Sequence, residues 1–121
     1  MEDLKLGAVE ERFAELIWAH EPLSSRELAE LCRQELNWKR PTTYTVLRKL
    51  CEKGIFQNVE GTVSSRISRE DFRAMRGERF VAETYGGSLP AFVAAFTSRN
   101  KLTAEEADAI RKLIDEARRK G

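Results

Sequence analysis

The apolar residues of this chain change their period at Gly54, and that change restricts the fold more than any other feature. Before Gly54 they recur every three or four positions, as the buried stripe of an α-helix does. After it, two short β-prone runs, Ile55–Val59 and Val63–Ile67, flank the hairpin signal Glu60-Gly61-Thr62. Helical spacing returns after Ser68 and continues towards the C-terminus. The predicted order is three helices, a two-stranded hairpin and three more helices.

Local chemistry sets the helix ends. Leu6, Val9, Phe13, Leu16 and Ile17 mark a first helix that Pro22 closes. Ser24 and Glu27 form a capping box, in which the hydroxyl accepts from one free backbone N–H and the carboxylate reaches back to another. They open a second helix with Leu28, Leu31 and Cys32 inward, ending around Leu36–Trp38. Pro41 suits the first turn of a third helix, because its missing N–H would have no partner there. Thr43, Val46, Leu47, Leu50 and Cys51 are that helix's inward stripe, and Gly54 is its left-handed stop. Ser68 with Asp71 opens a fourth helix through Phe72, Met75, Phe80, Val81 and Tyr85, broken by Gly86-Gly87. Ser88 opens the fifth, and Thr103 with Glu106 the sixth.

Three helices with a short turn between the second and third, followed by a hairpin, describe a winged helix-turn-helix: mainly α, with a small β wing. At 121 residues the chain suits one such domain, 1–69, with a helical appendage, 70–121. On a third helix spanning 41–53, Thr42, Tyr44, Thr45, Arg48 and Lys49 turn outward. Hydroxyls can exchange hydrogen bonds with base edges, and a Thr methyl can meet a thymine methyl. Arg48 and Lys49 can neutralise phosphates, while Lys39 and Arg40 stand at the helix N-terminus, where the dipole also favours an anion. Charge agrees: residues 1–30 carry eight acidic and three basic side chains, residues 31–54 two acidic and six basic. A basic patch on a chain of net charge +1 points to an anionic partner for one surface, here double-stranded DNA. The plain alternative is a solvated helix face, and the flanking topology argues against it. A protein-interaction module without sequence-specific DNA binding is the second reading.

The last two helices carry more apolar surface than a small chain needs. Leu89, Phe92, Val93 and Phe96 on the fifth, with Ile110, Leu113, Ile114 and Ala117 on the sixth, sit at i, i+3, i+4, i+7. A winged helix of about 65 residues closes its own core. The simplest cover for the remainder is a second copy, giving a two-fold homodimer with two recognition helices about 34–36 Å apart, or a multiple of that. Folding back onto the chain's own winged helix is the alternative.

"LSSRELAELCRQELNWKRPTTYTVLRKLCEKG" resembles the penicillinase and methicillin-resistance repressors of the BlaI/MecI type, whose pattern runs Trp, a capping residue, then Thr-x-x-Thr-[LV]-[LI]-x-[RK]-Leu. The matching positions are Trp38, Thr42, Thr45, Val46, Leu47, Lys49 and Leu50. "AELIWAHEPLSSRELAE", "YGGSLPAFVAAF" and "KLTAEEADAIRKLIDE" extend the likeness across about Leu4 to Arg118. The resemblance implies a homodimeric transcriptional repressor on a pseudo-palindromic operator, answering to an upstream sensor or protease. It places base contacts at Thr42, Tyr44 and Thr45, and a phosphate contact at Lys49. Pro41 and Tyr44 stand where some members carry basic residues, so the operator does not transfer. The wing, "NVEGTVSSR", offers one basic residue, Arg66. Where antibiotic-responsive members are cut between Asn and Phe, this chain has Ala95-Phe96. Copper-responsive relatives have a cysteine-rich tail, whereas this chain ends "EARRKG".

Other residues point to structure. Cys32 and Cys51 lie on inward stripes of adjacent helices and read as small buried thiols. His20 sits at a helix C-terminus, which favours a cation. Trp38 reads as the anchor of the turn before the third helix, because its ring buries much area, with stacking or donation to a phosphate as the alternative. Arg69, Arg73, Arg76 and Arg79 form a row that reads equally as a DNA- or partner-facing edge and as a solvated, paired face. No catalytic or metal constellation is filled, so neither enzyme activity nor a cofactor is expected. No apolar run nears the ~20 residues of a membrane span, and no secretory signal opens the chain. A cytoplasmic setting with reduced thiols is the expectation.

Overall fold

The computed structural model describes residues 4–120. Along the chain run α1 (Ala8–His20), β1 (Leu23–Ser24), α2 (Ser25–Leu36), α3 (Arg40–Glu52), β2 (Phe56–Val59), β3 (Thr62–Ser65), α4 (Arg69–Thr84), α5 (Leu89–Arg99) and α6 (Ala104–Lys120). This is the expected winged helix-turn-helix followed by helices.

Capping accounts for most helix starts. Ser24 Oγ accepts from Glu27 N at 3.0 Å while Glu27 Oε1 accepts from Ser24 N at 3.0 Å. Thr103 and Glu106 repeat the exchange, both bonds at 3.0 Å. Ser68 accepts from Asp71 N and Ser88 from Ala91 N, each at 3.1 Å. Glu27 is held below the ordinary carboxylate range by the Ser24 amide and hydroxyl. A lowered carboxyl pKa means its contribution is present above the unfolded value and is lost as pH falls through the folded one. Replacing Ser24 by Ala should cost about 1 kcal/mol, read as a lower urea midpoint at unchanged slope. A change of slope instead would mean the fold itself had loosened.

The first compact unit ends at Gly77, within α4, and the second begins at Glu78. The sequence reading divided the chain at the start of α4. The first part of that helix goes with the winged helix because Phe72 belongs to its core and Met75 packs on it. In that core Phe13 and Ile17 of α1, Leu28 and Cys32 of α2, Leu50 of α3, and Ile55 and Val63 around the wing are fully buried. Trp18 joins α1 to the far side, its ring 5.3 Å from both Phe56 and Phe72 and its Nε1–H donating to Ile67 O at 3.0 Å.

Three local expectations are corrected. Helix α1 starts at Ala8 rather than Leu6 and is turned so that Ala14 is buried, while Val9 is 50% exposed. The hairpin turn is Glu60-Gly61 alone, both with positive φ (52° and 86°), the conformation a two-residue hairpin requires. Thr62 is therefore in β3, opposite Val59. A third strand, β1, pairs with β3 (Leu23↔Val63, Ser24↔Thr62), giving the antiparallel order β1-β3-β2. Two residues are too short to show a period.

In the second unit, Phe80, Tyr85 and Phe92 form an edge-on cluster. Phe80 lies 5.9 Å and Tyr85 5.4 Å from the Phe92 ring. Such pairs add to plain area burial. Gly86 and Gly87 both take positive φ (59° and 82°) between α4 and α5.

Candidate nucleic-acid interface

Helix α3 has two faces. Thr43, Leu47 and Leu50 are buried, with Val46 and Cys51 half-buried beside them. Lys39, Arg40, Thr42, Thr45, Arg48 and Lys49 are exposed, and Tyr44 is half-buried. Thr42, Thr45 and Lys49 fall at i, i+3, i+7 and so make one row; Tyr44 and Arg48, at i and i+4, make a second. Glu52, exposed at the end of the helix, also belongs to this side. An acidic side chain carries no sequence signal for an anion-binding face, so Glu52 does not stand out beside the basic and hydroxyl residues.

The turn that aims this helix is three residues long. Asn37 takes the left-handed conformation (φ 56°, ψ 39°), which an amide side chain tolerates better than most. Trp38 N–H then donates to Cys32 O at 3.2 Å, and its ring stacks on Phe13, centroids 5.4 Å apart. Trp38 thus anchors the turn, as the sequence suggested. No side chain caps α3, and its first i→i−4 bond is Thr43 N–H to Lys39 O at 3.2 Å. The amides of Arg40 and Thr42 precede that bond, so they have no acceptor within the helix. Two N–H groups beside Lys39 and Arg40 form a local positive end.

Lys49 is engaged. Its Nζ lies 2.9 Å from Glu10 Oε2 on α1. Lys53 Nζ donates to Lys5 O at 2.7 Å. Arg66, exposed at the base of the wing, uses its backbone N–H on Ile55 O at 2.8 Å. The wing is braced from α1's end, where Glu21 Oε1 accepts from both Ser65 N and Ser65 Oγ at 2.8 Å.

The arginine row of α4 resolves differently from either expectation. Arg69 pairs with Glu15 at 2.8 Å, Arg73 lies 3.8 Å from the same carboxylate, and Arg76 pairs with Glu11 at 2.7 Å, all on α1. Only Arg79 has an i,i+4 partner, Glu83 at 2.8 Å. The first three arginines answer the acidic surplus of the first helix. That surplus was the sequence signal for Glu10, Glu11 and Glu15, none of which was singled out.

Cys32 and Cys51 are free thiols. Burial pushes both pKa values up, helped at Cys51 by Glu52 and opposed at Cys32 by the Thr43 hydroxyl. Raised thiol pKa values go with inert cysteines. Thr43 Oγ1 is buried without a hydrogen-bond partner among the described residues. His20 Nδ1–H donates to Leu16 O at 2.9 Å.

In the second unit Leu89, Val93, Phe96, Ile110, Leu113, Ile114 and Ala117 are all exposed in the single chain, Leu113 at 62% and Ile114 at 53%. Phe92 is half-buried, because it is engaged in the aromatic cluster. Ala95-Phe96 lies inside α5, so cutting there requires that helix to open locally. Among the described residues no group of His, Cys, Asp and Glu is placed to hold a metal, and no helix is long and apolar enough to cross a membrane.

Comparison with known proteins agrees with this geometry. The chain is 25% identical to the penicillinase repressor of Bacillus licheniformis over 105 residues, covering 84% of this chain and 82% of that protein. The sequence model of the penicillinase repressor family matches residues 6–116, which take in every helix from the start of α1 to most of α6. The chain therefore belongs to the penicillinase repressor family of transcriptional repressors.

Proposed function

We propose that the chain acts as a homodimer whose two copies of α3 enter successive major grooves of a pseudo-palindromic operator. The observation that carries this reading is the division of α3, which packs through Thr43, Leu47 and Leu50 and leaves Thr42, Thr45, Arg48 and Lys49 outward. In this reading Thr42, Tyr44 and Thr45 meet base edges. Lys39, Arg40, Arg48 and Lys49 meet phosphates, with Arg66 of the wing beside them, and so set register rather than preference. In this reading the winged-helix unit, which ends at Gly77, supplies DNA binding, and the unit from Glu78 onward supplies pairing of the two copies. The exposed apolar faces of α5 and α6 support that division of labour. Release of the operator is proposed to follow a signal from an upstream sensor or protease, with Ala95-Phe96 as the candidate cleavage site.

Footprinting and gel retardation on DNA next to the chain's own gene test the proposal. Thr45→Ala should cost about 1–3 kcal/mol on the operator and relax preference at one base position. Lys49→Ala should weaken operator and random duplexes alike. Equal losses for both variants on both duplexes would refute the base-contact assignment. Protection of α3 by a protein partner, with no response to DNA, would favour the interaction-module reading.

A further inference from the structure

The carboxylate of Glu10 is held from two sides. One oxygen, Oε1, accepts the Gly7 N–H at 2.9 Å and so belongs to the start of α1. The other, Oε2, lies 2.9 Å from Lys49 Nζ. The acid is 20% exposed and its partner 57%, so the fixed member of the pair is the carboxylate and the mobile one the lysine. The Gly7 amide and then Lys49 hold the Glu10 carboxyl below its usual range, with Lys53 adding its field. Glu10 is therefore a fixed anion, placed at the end of the Thr42–Thr45–Lys49 row.

We propose that Glu10 is an internal substitute for a DNA phosphate: it holds Lys49 in the unbound protein and gives it up to the sugar-phosphate backbone on docking. The inference rests on the reading of α3 as the groove-entering helix. Ion pairs with one solvent-exposed partner are weak, so exchange of one anion for another is accessible. The exchange also has a sign. With Glu10 present the Glu10–Lys49 pair carries no net charge rather than the +1 of a lone lysine, so fewer counterions are released on balance per contact. Glu10 then lowers affinity for every DNA equally and leaves sequence preference to the threonines. It is a positioning residue for Lys49 and reads no base.

The test uses the full chain, as wild type, Glu10→Gln, Glu11→Gln and Lys49→Ala, titrated onto an operator duplex and a random duplex of equal length at several salt concentrations. Gln keeps an acceptor for the Gly7 N–H, and a gain in affinity cannot come from lost folded protein. Glu10→Gln should tighten both duplexes by about two- to fivefold for each protomer engaged. It should steepen the salt slope by up to about 0.9 per protomer and leave the operator-to-random ratio unchanged. Glu11→Gln removes the same charge one residue along, but from Arg76 rather than from α3, and should do clearly less. An unmoved or weakened Glu10→Gln, or one matched by Glu11→Gln, would overturn the assignment while leaving DNA binding intact. Wild-type chain that bound neither duplex would instead overturn the groove-helix reading on which it rests.

Discussion

Raising monovalent salt from about 50 to 200 mM is expected to weaken operator binding by about 10³-fold or more. The expectation comes from the distribution of charge rather than from its total. The chain is close to neutral, yet Lys39, Arg40, Arg48, Lys49 and Arg66 lie exposed on or beside α3 and the wing. A pair of copies would then make about six to ten phosphate contacts, each releasing condensed counterions, for a log–log slope of roughly −5 to −9. Carboxylates moderate the total, because Glu10 holds Lys49 and Glu52 shares the outer side of α3. Fluorescence anisotropy across a salt series measures the slope directly. A value near −1 would mean that this face does not lie along a duplex backbone.

A single acid on α6 should be nearly as damaging. Leu113→Asp places a carboxylate in a face that, in the proposed dimer, meets its own copy. Burying an unpaired charge is costly, and a two-fold interface receives the substitution twice. Within one chain Leu113 is 62% exposed, so the cost to a protomer is confined to the modest helix propensity of Asp. Sedimentation should show single subunits at micromolar concentration with an unchanged far-ultraviolet circular dichroism spectrum. Operator affinity should fall by about 10²- to 10⁴-fold, because the second half-site loses its tethered partner. A variant that remained dimeric and bound as before would place the pairing surface elsewhere.

What the sequence made legible follows how local the physics is. The boxes at Ser24/Glu27 and Thr103/Glu106 were readable because cap and partner are three residues apart and the geometry is nearly obligatory. The two faces of α3 were readable because one period sorts them. The wing was readable from Gly61, although only the backbone shows that Glu60 shares the positive φ and that Thr62 belongs to the strand. Side-chain partners between distant segments were not readable. Nothing local in Lys49 names Glu10, nor does Arg69 name Glu15. The surplus of acid in residues 1–30 announced that partners were needed without saying which. The rotation of α1 that buries Ala14 and exposes Val9 was hidden for a related reason. A small residue goes inside where neighbouring helices come close, and that spacing is set by the neighbours.

The separation of α3 into a packed side and an open side bears on how such a scaffold can diversify. Thr42, Thr45 and Arg48 contribute none of the buried core, so exchanging them leaves the thermodynamics of folding almost untouched. In the proposed reading, duplicated copies of the gene acquire new binding sites through changes at a few codons while keeping every capping and core position. Because Thr42 and Thr45 meet base edges in that reading, residues 42 and 45 are the natural place to randomise when selecting for a new target.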